Sequence, residues 1–455
     1  MKQQLTKILL IAVLVISSQV AMAAEKALYA VVDGTSMTVK YGDPGENPKF
    51  ENNVWNFSSP TVRESITAVT IDKSCESYDG TDLNALFSNF TQLETITDID
   101  NLCTDDVEHL NHMFFGCQKL TEVNISAWNT SKVTSMASMF SGCSSLKRVD
   151  ISSFSTTALV NCSEMFFNCT SLGAIVVGEG WNLSSLSAGV GENMFYSCTE
   201  LKTYDGTLYD ASKLGEAYAK VGDGGYLTAP TLSLNTTEGS GKRWTTFYHG
   251  YLTYTIDDSE KACAYTGEIK SLGSVGKLTL HKLGKTIPAG QAVIIATETT
   301  NEAIAMTVDN TATATVTGTN NLHGLDIRTN VKEIEKKYTS TDGEYNWGNA
   351  RLLVLGKVGD DVKMCRYKKV NSDAPDLYMP AHKAYIVVDF TNNHFDSLDM
   401  SLEEDDATGI SEVKDDETQV AQGDDAWYTL GGMRLQGKPG AVGMYVSNGK
   451  KIIIK

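Results

Sequence analysis

Leu86-Phe87-Ser88-Asn89-Phe90-Thr91-Gln92-Leu93 returns as Met113-Phe114-Phe115-Gly116-Cys117-Gln118-Lys119-Leu120 and as Met139-Phe140-Ser141-Gly142-Cys143-Ser144-Ser145-Leu146. Two further copies follow, Met165-Phe166 through Leu172 and Met194-Phe195 through Leu201. The anchor Phe recurs at spacings of 27, 26, 26 and 29 residues. A fixed period of this length marks units that cannot bury their own apolar face and must stack on a neighbour.

Within the copy from Val133 to Phe154, Val133, Met136, Met139, Phe140 and Cys143 fall at steps of three and four. That spacing predicts one stripe of a short helix. Leu146 closes a turn. Val149 and Ile151 then alternate with Arg148 and Asp150, as in a short strand with two side chains inward and two outward. The period switches from helical to extended inside each copy, so the expected unit is a strand-turn-helix of the leucine-rich-repeat type, with successive strands parallel.

Stacked in register, such strands present two outward columns. The first is Thr95, Glu122, Arg148, Ala174 and Thr203; the second is Thr97, Asn124, Asp150, Val176 and Asp205. Parallel strands lie about 4.8 Å apart, so five rungs would span roughly 20 Å, enough for a modest protein or glycan contact. The expected binding face is therefore Thr95, Thr97, Glu122, Asn124, Arg148, Asp150, Val176, Thr203 and Asp205. A merely solvated sheet face is the other reading of the same columns.

Around the repeats the chain divides by composition. Residues 1–23 read as a signal peptide: Lys2 and Lys7 precede the apolar run Ile8 to Ile16, and Ala21-Met22-Ala23 supplies a small-x-small cleavage site. No other stretch approaches the roughly 18 apolar residues of a membrane span. Residues 24–80, with a hairpin signal at Asp33-Gly34-Thr35-Ser36, read as an N-terminal β cap on a solenoid of five repeats over 81–228. From 229 to 403 short alternating runs such as Trp244 to Tyr248, Ala292 to Ala296 and Lys383 to Phe390 predict an antiparallel β-sandwich. An acidic linker over 404–426 carries Glu403-Glu404-Asp405-Asp406 into a C-terminal β module at 427–455, whose Asn448-Gly449 signals a hairpin.

The net charge of −18 repels phosphate backbones, so nucleic acid is not an expected partner. Of the nine cysteines, Cys117, Cys143, Cys169 and Cys198 hold one place in four copies, and the first copy puts Phe90 there. A site that accepts Phe is a core site, and sulfurs strung along adjacent rungs do not gather into a tetrahedron. Cys263 and Cys365 could form a bridge, which spacing does not decide. His109 and His112 form H-x-x-H without the Glu of a metalloprotease motif. No Gly-rich phosphate loop, nucleophile elbow or placed carboxylate pair is present, so the reading is a non-enzyme with no catalytic residue, metal or cofactor. Trp244, Tyr248, Tyr251, Tyr345 and Trp347 could stack on sugar rings or belong to the core.

The copies, typified by Trp128-Asn129-Thr130-Ser131-Lys132-Val133-Thr134-Ser135-Met136 and the Met139 to Leu146 stretch, resemble the BspA-like leucine-rich-repeat surface proteins of the Bacteroidetes. That resemblance implies an exported, cell-surface adhesin or antigen that binds host matrix proteins, bacterial surface proteins or glycans. It carries over no catalytic residue. Arg243-Trp244-Thr245-Thr246-Phe247-Tyr248 and Met379-Pro380-Ala381-His382-Lys383-Ala384-Tyr385 resemble a β module appended to such proteins, and the C-terminal segment is similar to their sorting domains. The alternative function is a glycan-binding accessory protein acting through the sandwich.

Overall fold

The structure is a computed structural model. It describes residues 26–402, except 185–186, 188, 203–207, 223, 273–275, 299, 327–328, 340–349, 367–377 and 390–396, together with 427–429, 434–435, 443–447 and 450–454. The signal peptide and the acidic linker expected from the sequence lie outside the described residues. The chain forms two units, Met1–Glu403 and Glu404–Lys455.

The first unit begins with a hairpin of Ala27–Asp33 and Ser36–Gly42, turned at Gly34 with a φ of 60°. Ala68–Ile71 adds parallel to its second strand, and Thr95–Thr97 adds parallel to Ala68–Ile71. Leu28, Ala30, Met37, Val39, Val69 and Ile71 point inward and join one continuous core that runs through the repeats to Leu227. The segment therefore covers the apolar end of the stack, as a terminal unit must.

The repeats correct the leucine-rich-repeat expectation. Among the described residues of 81–228 there is no α-helix, and the parallel strands are only three or four residues long. The Met136 to Cys143 stretch is a run of tight turns. Met139, Ser141 and Cys143 donate their N–H groups three residues back, to Met136, Ser138 and Phe140, at 3.0–3.3 Å. Met136, Ser138, Phe140 and Gly142 instead donate across to the next copy, to the carbonyls of Asn161, Ser163, Met165 and Phe167, at 2.7–2.9 Å. Ser138 (φ 53°) and Gly142 (φ 78°) take the left-handed conformation that breaks a helix, and the pairs His112/Gly116, Glu164/Asn168 and Asn193/Ser197 repeat it. Successive turns of three to four residues produce the same apolar spacing as a helix, so periodicity alone misassigned them.

Stacking is nevertheless tight. Phe87, Phe114, Phe140, Phe166 and Phe195 form a column of near-parallel rings, with centroids 5.6, 5.2, 5.6 and 6.2 Å apart. Beside it the thiols of Cys117, Cys143, Cys169 and Cys198 point at the carbonyls of Phe87, Phe114, Phe140 and Phe166, at 3.0–3.1 Å. Each sulfur thus links its copy to the one before, as a small buried hydrophobe with a weak donor. All nine cysteines are free thiols, so Cys263 and Cys365 are not bridged.

The region after the repeats corrects the antiparallel sandwich. Its main sheet has ten strands in the order Thr237–Gly239, Lys242–Phe247, Val293–Thr297, Ala262–Leu272, Gly276–Gly284, Ser397–Leu402, Asp361–Arg366, Ala350–Val358, Lys383–Asp389 and His323–Leu325. The sheet is mixed, because Gly276–Gly284 and Ser397–Leu402 run parallel. It curls until its ends meet: Ser240 donates to the Asp360 carbonyl at 2.8 Å, and Tyr248 to the His382 carbonyl at 3.2 Å.

Trp244, Ile294, Ala296, Leu353, Met364 and Ile386 pack inside the curl. Val293 and Ile295, alternating with them, pack outside it with a four-stranded sheet of Thr231–Asn235, Ala303–Val308, Tyr254–Ile256 and Thr286–Ile287. Val293–Thr297 is buried on both faces, which a two-layer sandwich does not require. Val331–Thr339 is a helix that the sequence reading missed, although Val331, Ile334 and Tyr338 form its buried stripe.

In the second unit Arg434–Leu435, Trp427–Thr429, Gly443–Ser447 and Lys450–Ile454 make an antiparallel sheet. The last two strands are the hairpin that Asn448-Gly449 signals. No helix among the described residues is long and apolar enough to cross a membrane.

Candidate binding surface

The expected face of five rungs is divided and partly covered. Thr95–Thr97 belongs to the cap sheet, where Thr97 shares a hydroxyl hydrogen bond with Thr70 at 2.9 Å. Glu122–Asn124, Arg148–Ile151 and Ala174–Val177 form a separate parallel sheet, in register as Glu122, Arg148, Ala174 and Asn124, Asp150, Val176. Between the two sheets the chain passes Asp98, in the left-handed conformation (φ 54°), and a single 3-10 turn at Ile99–Asn101. Thr203 and Asp205, the expected fifth rung, lie outside the described residues.

Along the three-stranded sheet exposure falls steadily. Glu122 and Asn124 are exposed, Arg148 and Asp150 are half-buried, and Ala174 and Val176 are buried. Val176 is thereby corrected as a binding residue. It packs with Phe247, Leu252, Tyr254, Ile304 and Met306 of the following β region. Arg148 pairs with the Glu122 carboxylate through Nη2, while its Nη1 donates to the Tyr251 carbonyl at 3.1 Å. Tyr251 lies over Gly173 so closely that a Cβ there would fall 2.3 Å from its ring. Its hydroxyl meets Lys202 and Glu200, each at 3.3 Å.

The sugar platform does not assemble from the proposed aromatics. Trp244 is core, its indole donating to the Gly239 carbonyl at 2.9 Å. Tyr248 packs against the inner cluster, Tyr251 joins the repeats to the β region, and Tyr345 and Trp347 lie outside the described residues. Of the H-x-x-H pair, His109 is half-buried in the inter-copy ladder, bridged to Asp82 and Ser135, and His112 is exposed beside Phe115.

Residues 81–206 are similar to a family described as "Mycoplasma protein of unknown function, DUF285". No curated protein and no solved structure matches the chain. The similarity covers the stacked copies and stops short of the β region that hides Val176.

Two features were not foreseen from the sequence: the role of Tyr251, read there only as a sugar-stacking or core aromatic, and a cleft in the cap. Tyr251 stands alone, without a motif, and its covering role depends on a contact more than seventy residues distant in sequence, to Gly173. The cap carries a cleft of about 520 Å³ between Tyr41, Phe50, Glu51, Asn52, Tyr78 and Asp79. A signal for it was present: Asn52-Asn53 is a hairpin pair, and Phe50, Trp55 and Phe57 crowd around it.

Proposed function

We propose that the chain is an exported cell-surface binding protein, without enzymatic activity, that recognises protein partners through the exposed polar rows of Thr95, Thr97, Glu122 and Asn124. The observation that carries this reading is the contrast across one strand layer. Val123 and Val149 are held in a core built from rings, thiols and short hydrogen bonds, while Glu122 and Asn124 stand exposed beside them. A rigid layer with exposed polar groups outward suits recognition, since little ordering entropy is lost on binding. Resemblance to BspA-like surface proteins supports the same reading and names the partners as host matrix or bacterial surface proteins. Export through the leader at 1–23, with the C-terminal module acting in sorting, belongs to the proposal.

The test uses the full chain on a panel of extracellular-matrix proteins and on neighbouring bacterial cells. Triple substitution Thr97→Lys, Glu122→Lys and Asn124→Lys leaves the core residues in place and reverses the local charge. Loss of at least about tenfold in affinity, about 1.4 kcal/mol, is expected for any partner found. Unchanged affinity for every partner, or no partner at all, removes the proposal.

A further inference from the structure

The cleft in the cap has the make-up of a carbohydrate site. One wall is the pair Tyr41 and Tyr78, packed edge to face with centroids 5.4 Å apart. Both rings are fixed from behind: the Tyr41 hydroxyl donates to Asp79, and the Tyr78 hydroxyl donates to the Asp82 carbonyl at 2.9 Å. Gly80 permits this, because a Cβ there would lie 2.3 Å from the Tyr78 hydroxyl.

The opposite wall is the hairpin Phe50–Glu51 and Val54–Trp55, turned by Asn52 (φ 49°) and Asn53 (φ 64°). Two consecutive left-handed residues make the tight turn that Asn tolerates best after Gly. The hairpin is anchored by Trp55, whose indole donates to the Leu86 carbonyl of the first repeat at 2.7 Å and whose ring stacks on Phe57. Neither wall needs to be ordered by a ligand.

The volume falls in the range of small-molecule sites, about 300–1,000 Å³. Its lining combines aromatic rings with amide and carboxylate groups; Lys26 and Lys49 face Glu51, Asp79 and Asp82, and Lys49 pairs with Glu51 at 3.5 Å, so no strong charge of either sign is left. A lipid would need an apolar lining, and a phosphate would need clustered cations or a helix N-terminus. Ring faces for C–H surfaces, with acceptors and amides for hydroxyls, match a neutral sugar.

We infer that this cleft binds a neutral oligosaccharide, at a site separate from the repeat rows and from the curled sheet. Glu51, Asn52 and Asp79 accept from and donate to the sugar hydroxyls, and Phe50 and Tyr78 receive its C–H surfaces, while Lys26, whose Nζ lies 5.8 Å from the centroid of the Tyr41 ring, adds a further donor.

Full-length protein is titrated with a panel of neutral hexose hexasaccharides, α- and β-linked, by calorimetry. At least one is expected to bind. Glu51→Gln and Asn52→Gly, both at exposed positions and the second compatible with the turn, should weaken it at least about tenfold, with an unchanged circular dichroism spectrum. Phe50→Leu tests the ring contact in a variant that keeps the apolar volume, and is expected to weaken binding as well. The lysine triple variant of the repeat rows should bind the sugar normally, which separates the two sites. Absence of binding across the panel, binding that all three cleft variants retain, or binding of an extended peptide in preference to every sugar would overturn the inference.

Discussion

At Cys143 the choice of residue is explained by three constraints at once. The site is fully buried, it lies in the core beside the Phe column, and it faces the Phe114 carbonyl at 3.0 Å. Cysteine is small, apolar enough for burial and still a weak donor. Burial pushes the Cys143 and Cys198 thiols up to about 12, and those of Cys117 and Cys169 well above the ordinary range. These four sulfurs should therefore resist a thiol reagent in the native protein near the ordinary thiol pKa of about 8.5, and react in denaturant. Quantitative labelling followed by peptide mapping checks this. Rapid native labelling of the four would mean that the copies open. Their burial was legible in the sequence, because one copy places Phe90 at the equivalent position.

At the scale of the element, the turn run of each copy illustrates what periodicity does and does not encode. Apolar residues at steps of three and four reported which side chains go inward, and those side chains are inward. They did not report where the backbone N–H groups go. In a helix they return four residues back; here alternate ones cross to the next copy. Left-handed Ser138 and Gly142 are the visible difference.

Gly142→Ala separates the two arrangements by sign. In a helix it would stabilise by about 0.5–1 kcal/mol, because Gly there carries an entropic cost. At a φ of 78° it should destabilise by about 1 kcal/mol, since the nearest atom to an added Cβ, the Gly116 Cα at 3.5 Å, leaves conformation as the main penalty. Urea midpoints of the two proteins decide it.

For the first unit as a whole, the junction between repeats and curled sheet turns on His249. Its Nδ1 accepts N–H groups from Tyr251 and Leu252, each at 3.2 Å, so the ring must be neutral with its proton on Nε2. It stacks on His382 with centroids 4.7 Å apart. Burial first, and then the neighbouring His382, hold its pKa well below 6.5. Below about pH 6.5 the unfolded chain binds a proton that the folded chain does not, so stability is full above that pH and falls as the pH drops through it. The slope should approach about 1.4 kcal/mol per pH unit.

Asp72, Asp210 and Asp309 are also lowered, by hydrogen bonds, but their contribution is lost only below the ordinary carboxylate range. Denaturation midpoints between neutral and mildly acidic pH should therefore fall, and His249→Gln should flatten the fall. Because the same turn carries Tyr251 onto Gly173, acid should also expose Tyr251 to solvent, which its fluorescence would report.

What the sequence by itself determined was the period and the inward set of Phe, Met, Cys and Leu. These follow from local spacing and side-chain chemistry, which do not depend on distant partners. Tertiary structure alone decided that the copies are turns joined by cross-copy hydrogen bonds, that the ten-stranded sheet curls on itself, and that Val176 is covered while Glu122 and Asn124 stay open. Each of these depends on which group meets a given N–H or face across the fold, and a single strand of residues carries no record of that partner.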